Sequence, residues 1–148
     1  MSSESLTAGP HFIRHSANPV SRGPIEDHSL NPKGVFTLPK GTDERPWHIK
    51  PAGVHGSIFS NGGDPTGTKG EEHKEFLFAF LHGETPTAWK TEHVPSAGKN
   101  SYVIRDVKQG KFWVSTGVKE QIEVKMLILH PVDPPRYPPE AIFEIVKA

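Results

Sequence analysis

The sequence predicts an all-β fold of twelve short strands in three four-strand units related by pseudo-threefold symmetry. Three observations carry that prediction: a repeat of about 45 residues, apolar and polar residues that alternate with a period of two, and 15 prolines and 14 glycines that cut the alternating runs short. The repeat is the strongest of these. HFIRH, SIFSN and YVIRD place Ile13, Phe59 and Ile104 at 46- and 45-residue intervals, and Val20, Thr66 and Lys111 each stand seven residues after their predecessor. VFTLP, LFAFL and MLILH then supply three apolar runs, and PWHI, TAWK and IFEI close the units. The third unit is longer because it carries the proline-rich segment DPPRYPPE.

In chain order, the first unit has strands near residues 10–16, 19–22, 34–38 and 46–50. The second has them near 56–60, 66–69, 76–81 and 87–92, and the third near 101–106, 111–115, 120–129 and 141–146. GEEHKEFLFAFL begins polar and ends in β-prone aromatics, so it reads as a loop followed by a strand, with a short helical turn allowed at Glu71 to Lys74. Alternation puts Ile13, Phe59 and Ile104, with Trp47, Trp89 and Phe143, on inward positions as packing residues. Trp113, in KFWV, is not assigned to that set.

A chain of 148 residues suits a single domain, residues 1–148, with repeats at about 9–52, 53–97 and 98–148. Seventeen basic and seventeen acidic side chains cancel, so no overall field draws the molecule to nucleic acid or to an anionic membrane. The absence of cysteine removes disulfides, thiolate metal sites and cysteine nucleophiles. The start MSSESLTAGPHF lacks a basic stretch followed by an apolar one, no 18 apolar residues run together, and no Asn-x-Ser/Thr acceptor occurs. A cytoplasmic, monomeric protein is the expectation.

With these elements in place, NPVSRGPIEDHSLNPKGVFTLP followed by PWHIK, and the last strand PPEAIFEIVKA, resemble the cysteine-free β-trefoil serine protease inhibitors of mushrooms, the cospin type. The similarity runs from about Gly9 to Ala148 and rests mostly on core and turn positions. The resemblance implies a β-trefoil that inhibits trypsin-like serine proteases in a defensive role, without cofactor or metal, and is not an enzyme. In that family the working loop lies between the second and third strands, which here runs from Ser21 to about Lys33.

A trypsin-like protease holds its substrate as an added extended strand and reads one residue in a deep pocket with a carboxylate at its base. Arg22 meets that demand: Pro19 and Pro24 restrict the backbone on either side, Ser21 precedes it, and Gly23 leaves the following carbonyl accessible. Lys33, in NPKG, is the second candidate in the same loop, and Glu26, Asp27 and His28 are placed to brace it through side-chain hydrogen bonds. Two other loops carry candidates by resemblance. Lys50 occupies the position of the reactive site in plant β-trefoil inhibitors, and Asn61, in SNGGDPTG, the position at which mycocypin-type inhibitors act on asparagine-specific cysteine proteases. The alternative partner is thus a cysteine or asparaginyl protease, although Asn-Gly and Asp-Pro are also ordinary turn dipeptides. Lys69, in TGTKGEE, is a weaker candidate.

Other chemistries lack their patterns. Nine histidines show no HExxH, and His11 and His15 are read as scattered rim residues. No GxSxG elbow occurs, and GGDPTGTKG has neither the spacing nor the helix of a phosphate loop. A sugar-binding β-trefoil is the rival reading. Ricin-type lectins carry Gln-x-Trp in the closing strand of each unit, whereas the corresponding triplets here are Arg-Pro-Trp, Thr-Ala-Trp and Ala-Ile-Phe.

Overall fold

Period-two alternation, interrupted by turn-forming residues, produces twelve strands among the residues that the computed structural model describes: 6–53, 56–71, 73–129 and 136–148. They are β1 (Gly9–His15), β2 (Asn18–Arg22), β3 (Lys33–Thr37), β4 (Trp47–Ala52), β5 (Gly56–Asn61), β6 (Asp64–Glu71), β7 (Lys74–Ala79), β8 (Trp89–His93), β9 (Ser101–Asp106), β10 (Phe112–Val114), β11 (Glu123–Lys125) and β12 (Phe143–Lys147). The expected strand positions hold, with one large contraction. The run expected at 120–129 forms a strand only at Glu123–Lys125, after which Met126 and Ile128 turn to solvent. Leu127 and Leu129 instead pack against a second apolar cluster of Val94, Val103, Phe112, Val114 and Ala141. Glu71 and Lys74, between which a short helical turn was allowed, pair across the β6–β7 hairpin. Part of the DPPRYPPE insertion lies outside the described residues, and its end forms a short 3-10 helix at Pro139–Ala141.

All pairings are antiparallel. Ten strands form a closed circuit, β10-β11-β7-β3-β2-β1-β4-β5-β8-β9 and back to β10, with β12 bridging β1 to β9 and β6 bridging β5 to β7 as two extra strands. Closure leaves the circuit without a free sheet edge. The expectation of a β-trefoil with three equivalent units is therefore corrected to a closed antiparallel barrel. The units differ where equivalence would be required. β6 and β7 share six registered pairs, against three in β2–β3 and three in β10–β11. β7 pairs with both β3 and β11 in registered ladders, whereas β3 meets the segment before β11 through the bridge of Phe36 and Gln121 and backbone hydrogen bonds of Val35 and Thr37 with residues 119–122. Sequence spacing reports copied segments; which strands bond depends on neighbours and loop lengths, and these differ from unit to unit.

The core expected from alternation is the core observed. Ile13, Trp47, Phe59, Trp89, Ile104 and Phe143 are all buried in one cluster. Trp113, which sequence reasoning left out, lies at its centre, its ring 5.4 Å from both Trp47 and Trp89 and 5.9 Å from Phe59. Buried indole N–H groups need partners, and the repeat supplies two of the three: Trp47 Nε1 donates to the Val20 carbonyl at 2.7 Å and Trp89 Nε1 to Thr66 Oγ1 at 3.1 Å, whereas Trp113 Nε1 is buried without one among the described residues.

Candidate functional site

Beyond Arg22 the ladder between β2 and β3 stops, its last pair being Arg22 and Val35. The chain then runs through residues 23–32 without strand structure before Lys33 opens β3. Segment 23–32 lacks the cross-strand hydrogen bonds of a sheet, so its conformation depends on side chains. Two buried cations supply the hold.

The first is Arg22. Its guanidinium forks onto Glu26, Nε to Oε2 at 3.1 Å and Nη2 to Oε1 at 2.8 Å, and reaches the next hairpin through Nη1 to the Asn61 carbonyl at 3.1 Å and to Asp64 Oδ2 at 2.8 Å. Such two-pronged ion pairs fix direction as well as distance. The hydrogen bonds that Arg22 donates to Glu26, more than the charge of that carboxylate, hold the Arg22 pKa above its ordinary value. Asn61 completes the anchor, its Oδ1 accepting from Ser21 Oγ at 3.1 Å and from the Arg22 backbone N–H at 3.2 Å. The hairpin that carries Asn61 and Asp64 turns through Gly62 and Gly63, with φ of 63° and 85°. Glycine at 62 is required twice over, since a Cβ there would stand 2.8 Å from Arg22 Nη1.

The second cation is Lys33, whose ammonium bonds the Asp27 carboxylate and donates to Ser29 Oγ at 3.2 Å. Asp27 Oδ1 also accepts from the Ser29 backbone N–H at 2.9 Å and from Ser29 Oγ at 2.5 Å, and the Asn31 N–H donates to Ser29 Oγ at 3.2 Å. The hydrogen bond from Lys33, then those from Ser29, pull the Asp27 carboxyl well below the usual carboxylate range. Glu26 and Asp27 thus brace the loop as expected, whereas His28 is exposed and takes no part. With two cations matched by carboxylates behind it, the loop presents a tip dominated by Ile25, 92% exposed, and Leu30, 63% exposed.

The structure places three of the residues expected to meet a protease away from solvent. Arg22 is 7% exposed and Lys33 6%, so each points into the molecule as a strut instead of projecting from the apex. Asn61 is fully buried as the anchor of Ser21 and Arg22, which leaves no amide side chain to offer a protease. Gly23 is half-buried and Pro24 exposed at the start of the loop. Lys50 is exposed, but it stands within β4, paired with Ile58 of β5, and is not brought near this loop by any strand pairing. Lys69 lies exposed on β6 beside Glu84, at 3.4 Å. Sequence reasoning passed over Asp64 and Ile25. A signal for each was present: an Asp closing an Asn-Gly-Gly turn, and a large aliphatic directly after proline in a segment whose other residues, Leu30 apart, are polar or proline.

The histidines do not gather. His11 bonds the Gly9 carbonyl, His15 bonds the Pro139 carbonyl, and among the described residues no group of three metal-ligating side chains occurs.

The model of the peptidase inhibitor I66 family matches residues 4–147. A protein of Lentinula edodes named serine protease inhibitor is 39% identical over 146 residues, spanning 97% of this chain and 99% of that protein. The solved structure of a proteinase inhibitor from Coprinopsis cinerea superposes with a TM-score of 0.85 at 28% identity, covering 97% of this chain and all of that one. A salivary protein of Culex quinquefasciatus from the Cysteine and Tryptophan-Rich family reaches a TM-score of 0.75 at 15% identity over 100% of this chain and 99% of that one, a likeness of fold alone.

Proposed function

The chain belongs to the peptidase inhibitor I66 family, and from that premise we propose that it inhibits serine proteases by inserting loop 23–32 into the protease cleft as a substrate would enter. The family is one of inhibitors and not of enzymes, so a protease is the partner. The serine class is supported by the 39%-identical relative that bears that name.

One observation carries the choice of loop: its tip is exposed while its carboxylates are tied to two buried cations. A protease reads a peptide whose backbone is free to pair with its own strands. Each side chain that must be ordered on docking costs roughly 0.5–1.5 kcal/mol, so a loop already held in shape binds more tightly than a mobile one of the same sequence. The trypsin-like specificity expected from Arg22 would require that side chain to leave Glu26, Asp64 and the Asn61 carbonyl for a pocket outside. The proposal keeps the loop and gives Arg22 and Lys33 the work of bracing it. A single chain carries the whole loop, so no oligomer is needed.

The test is titration of a panel of serine proteases with the wild-type protein and with a variant whose residues 24–31 are replaced by a short Gly-Ser turn. Inhibition by the wild type and its loss in the variant, with an unchanged far-UV circular dichroism spectrum, is the expected result. Equal inhibition by both would refute the assignment.

A further inference from the structure

Ile25 and Leu30 are the large apolar side chains that the braced loop leaves in water, and they are not held alike. Ile25 stands between Pro24, whose ring fixes its own φ, and Glu26, whose two carboxylate oxygens are both taken by Arg22. Glu26 is turned inward and Ile25 outward, so the side chain is presented from a backbone pinned immediately after it. Both lie at bends, Ile25 at residues 24–25 and Leu30 within a longer run at 28–31 closed by the Asn31 N–H on Ser29 Oγ, and of the two Ile25 is the one that adjoins a carboxylate taken by a buried arginine. A protease pocket needs a convex, fixed point of entry, and Ile25 provides it.

The chemistry of that side chain selects the pocket. An isoleucine carries no group that could satisfy a carboxylate at the base of a trypsin-like pocket, and burying that carboxylate unpaired is unfavourable. It is also too short to fill a slot shaped for an aromatic ring, where unfilled space forfeits contacts. A shallow aliphatic pocket, as in elastase, is the match. β-Branching adds to this, because a side chain already stiff about χ1 loses little freedom on docking. We propose that Ile25 is the residue that fills the specificity pocket, and that the partner is an elastase-like serine protease. This rests on the loop assignment made above.

The experiment measures inhibition constants for pancreatic elastase, chymotrypsin and trypsin with the wild type, Ile25→Asp, Ile25→Arg and Leu30→Asp. All three substitutions are at exposed positions, so melting temperatures should stay the same. The expected result is preferential inhibition of elastase by the wild type and a loss of roughly 30-fold or more in Ile25→Asp, the mark of a pocket-filling residue. Ile25→Arg should in turn gain inhibition of trypsin, which a misfolded variant could not do. Elastase inhibition that survives Ile25→Asp but falls in Leu30→Asp overturns the inference and leaves the loop assignment standing. Inhibition that survives both, and also survives replacement of residues 24–31, overturns the two together. A wild type that prefers trypsin or chymotrypsin, or that inhibits none of the three, overturns the inference as well.

Discussion

The β2–β3 and β6–β7 hairpins occupy matching places in successive repeat units, yet they end in opposite ways. β6 and β7 stay paired to the tip, where Glu71 faces Lys74, so their ladder satisfies the backbone from end to end. β2 and β3 part after Arg22, and from there to Lys33 the segment is held by side chains: Arg22 on Glu26, Lys33 on Asp27, Asn61 and Asp64 from the neighbouring hairpin. A backbone already paired along both strands has little left to offer a protease. A backbone fixed from behind by ion pairs keeps its outer face for a partner. Fixing a loop by side chains instead of a ladder therefore lets one molecule be rigid and receptive at the same place.

If side chains hold the first hairpin, their removal should be felt there most. The largest effect is expected from Arg22→Ala, which leaves Glu26 and Asp64 without their cation; removing one partner of a buried pair costs about 3 kcal/mol, and urea unfolding should show a loss of that order together with weaker protease inhibition. Asn61→Ala should follow at about 2 kcal/mol, because the Ser21 hydroxyl and the Arg22 N–H lose their acceptor in a buried setting. Gly62→Ala should cost about 1–2 kcal/mol from its positive φ, and since the new Cβ would meet Arg22 Nη1 it should also weaken inhibition from a neighbouring hairpin. On the β6–β7 side, Lys69→Ala removes an exposed ion pair and should change stability by less than about 0.5 kcal/mol, with inhibition untouched. An Arg22→Ala protein as stable and as inhibitory as wild type would remove the distinction between the two hairpins.

Acid should loosen the same loop selectively. The Asp27 carboxyl titrates below its unfolded value, near 3.9, because Lys33 and Ser29 bond its charged form. A group depressed in the folded state contributes its stabilisation above the unfolded pKa and loses it as pH falls through the folded one. Exchange of the Ser29 amide, which donates to Asp27, should therefore gain protection above pH 4 and lose it progressively below, and Asp27→Asn should abolish that dependence.

The strands and the main core were legible because alternation and turn residues are local properties. Ile13, Phe59 and Ile104 could be placed inside from their own neighbours alone. The closed barrel was not legible, since no spacing states that β7 bonds three partners or that β3 bonds residues 119–122 ahead of β11. Trp113 escaped for a related reason: its ring reaches the centre from the short β10, where three residues give too little alternation to read. Within the site, the loop and its acidic braces were visible in Glu26 and Asp27. The direction of Arg22 and Lys33 was not, because proline flanks describe the backbone and say nothing of where a side chain points. For Arg22 that depended on Asp64 and Asn61, some 40 residues away and brought into reach by the β5–β6 turn, and for Lys33 on the fold of the loop that brings Asp27 back to it.

The most direct measurement is amide hydrogen exchange of the free protein against its complex with a serine protease, resolved by peptide. The account predicts new protection confined to residues 22–33, with the β6–β7 tip and the Lys50 region of β4 exchanging as before. Protection at either of those places, with none at 22–33, would contradict it.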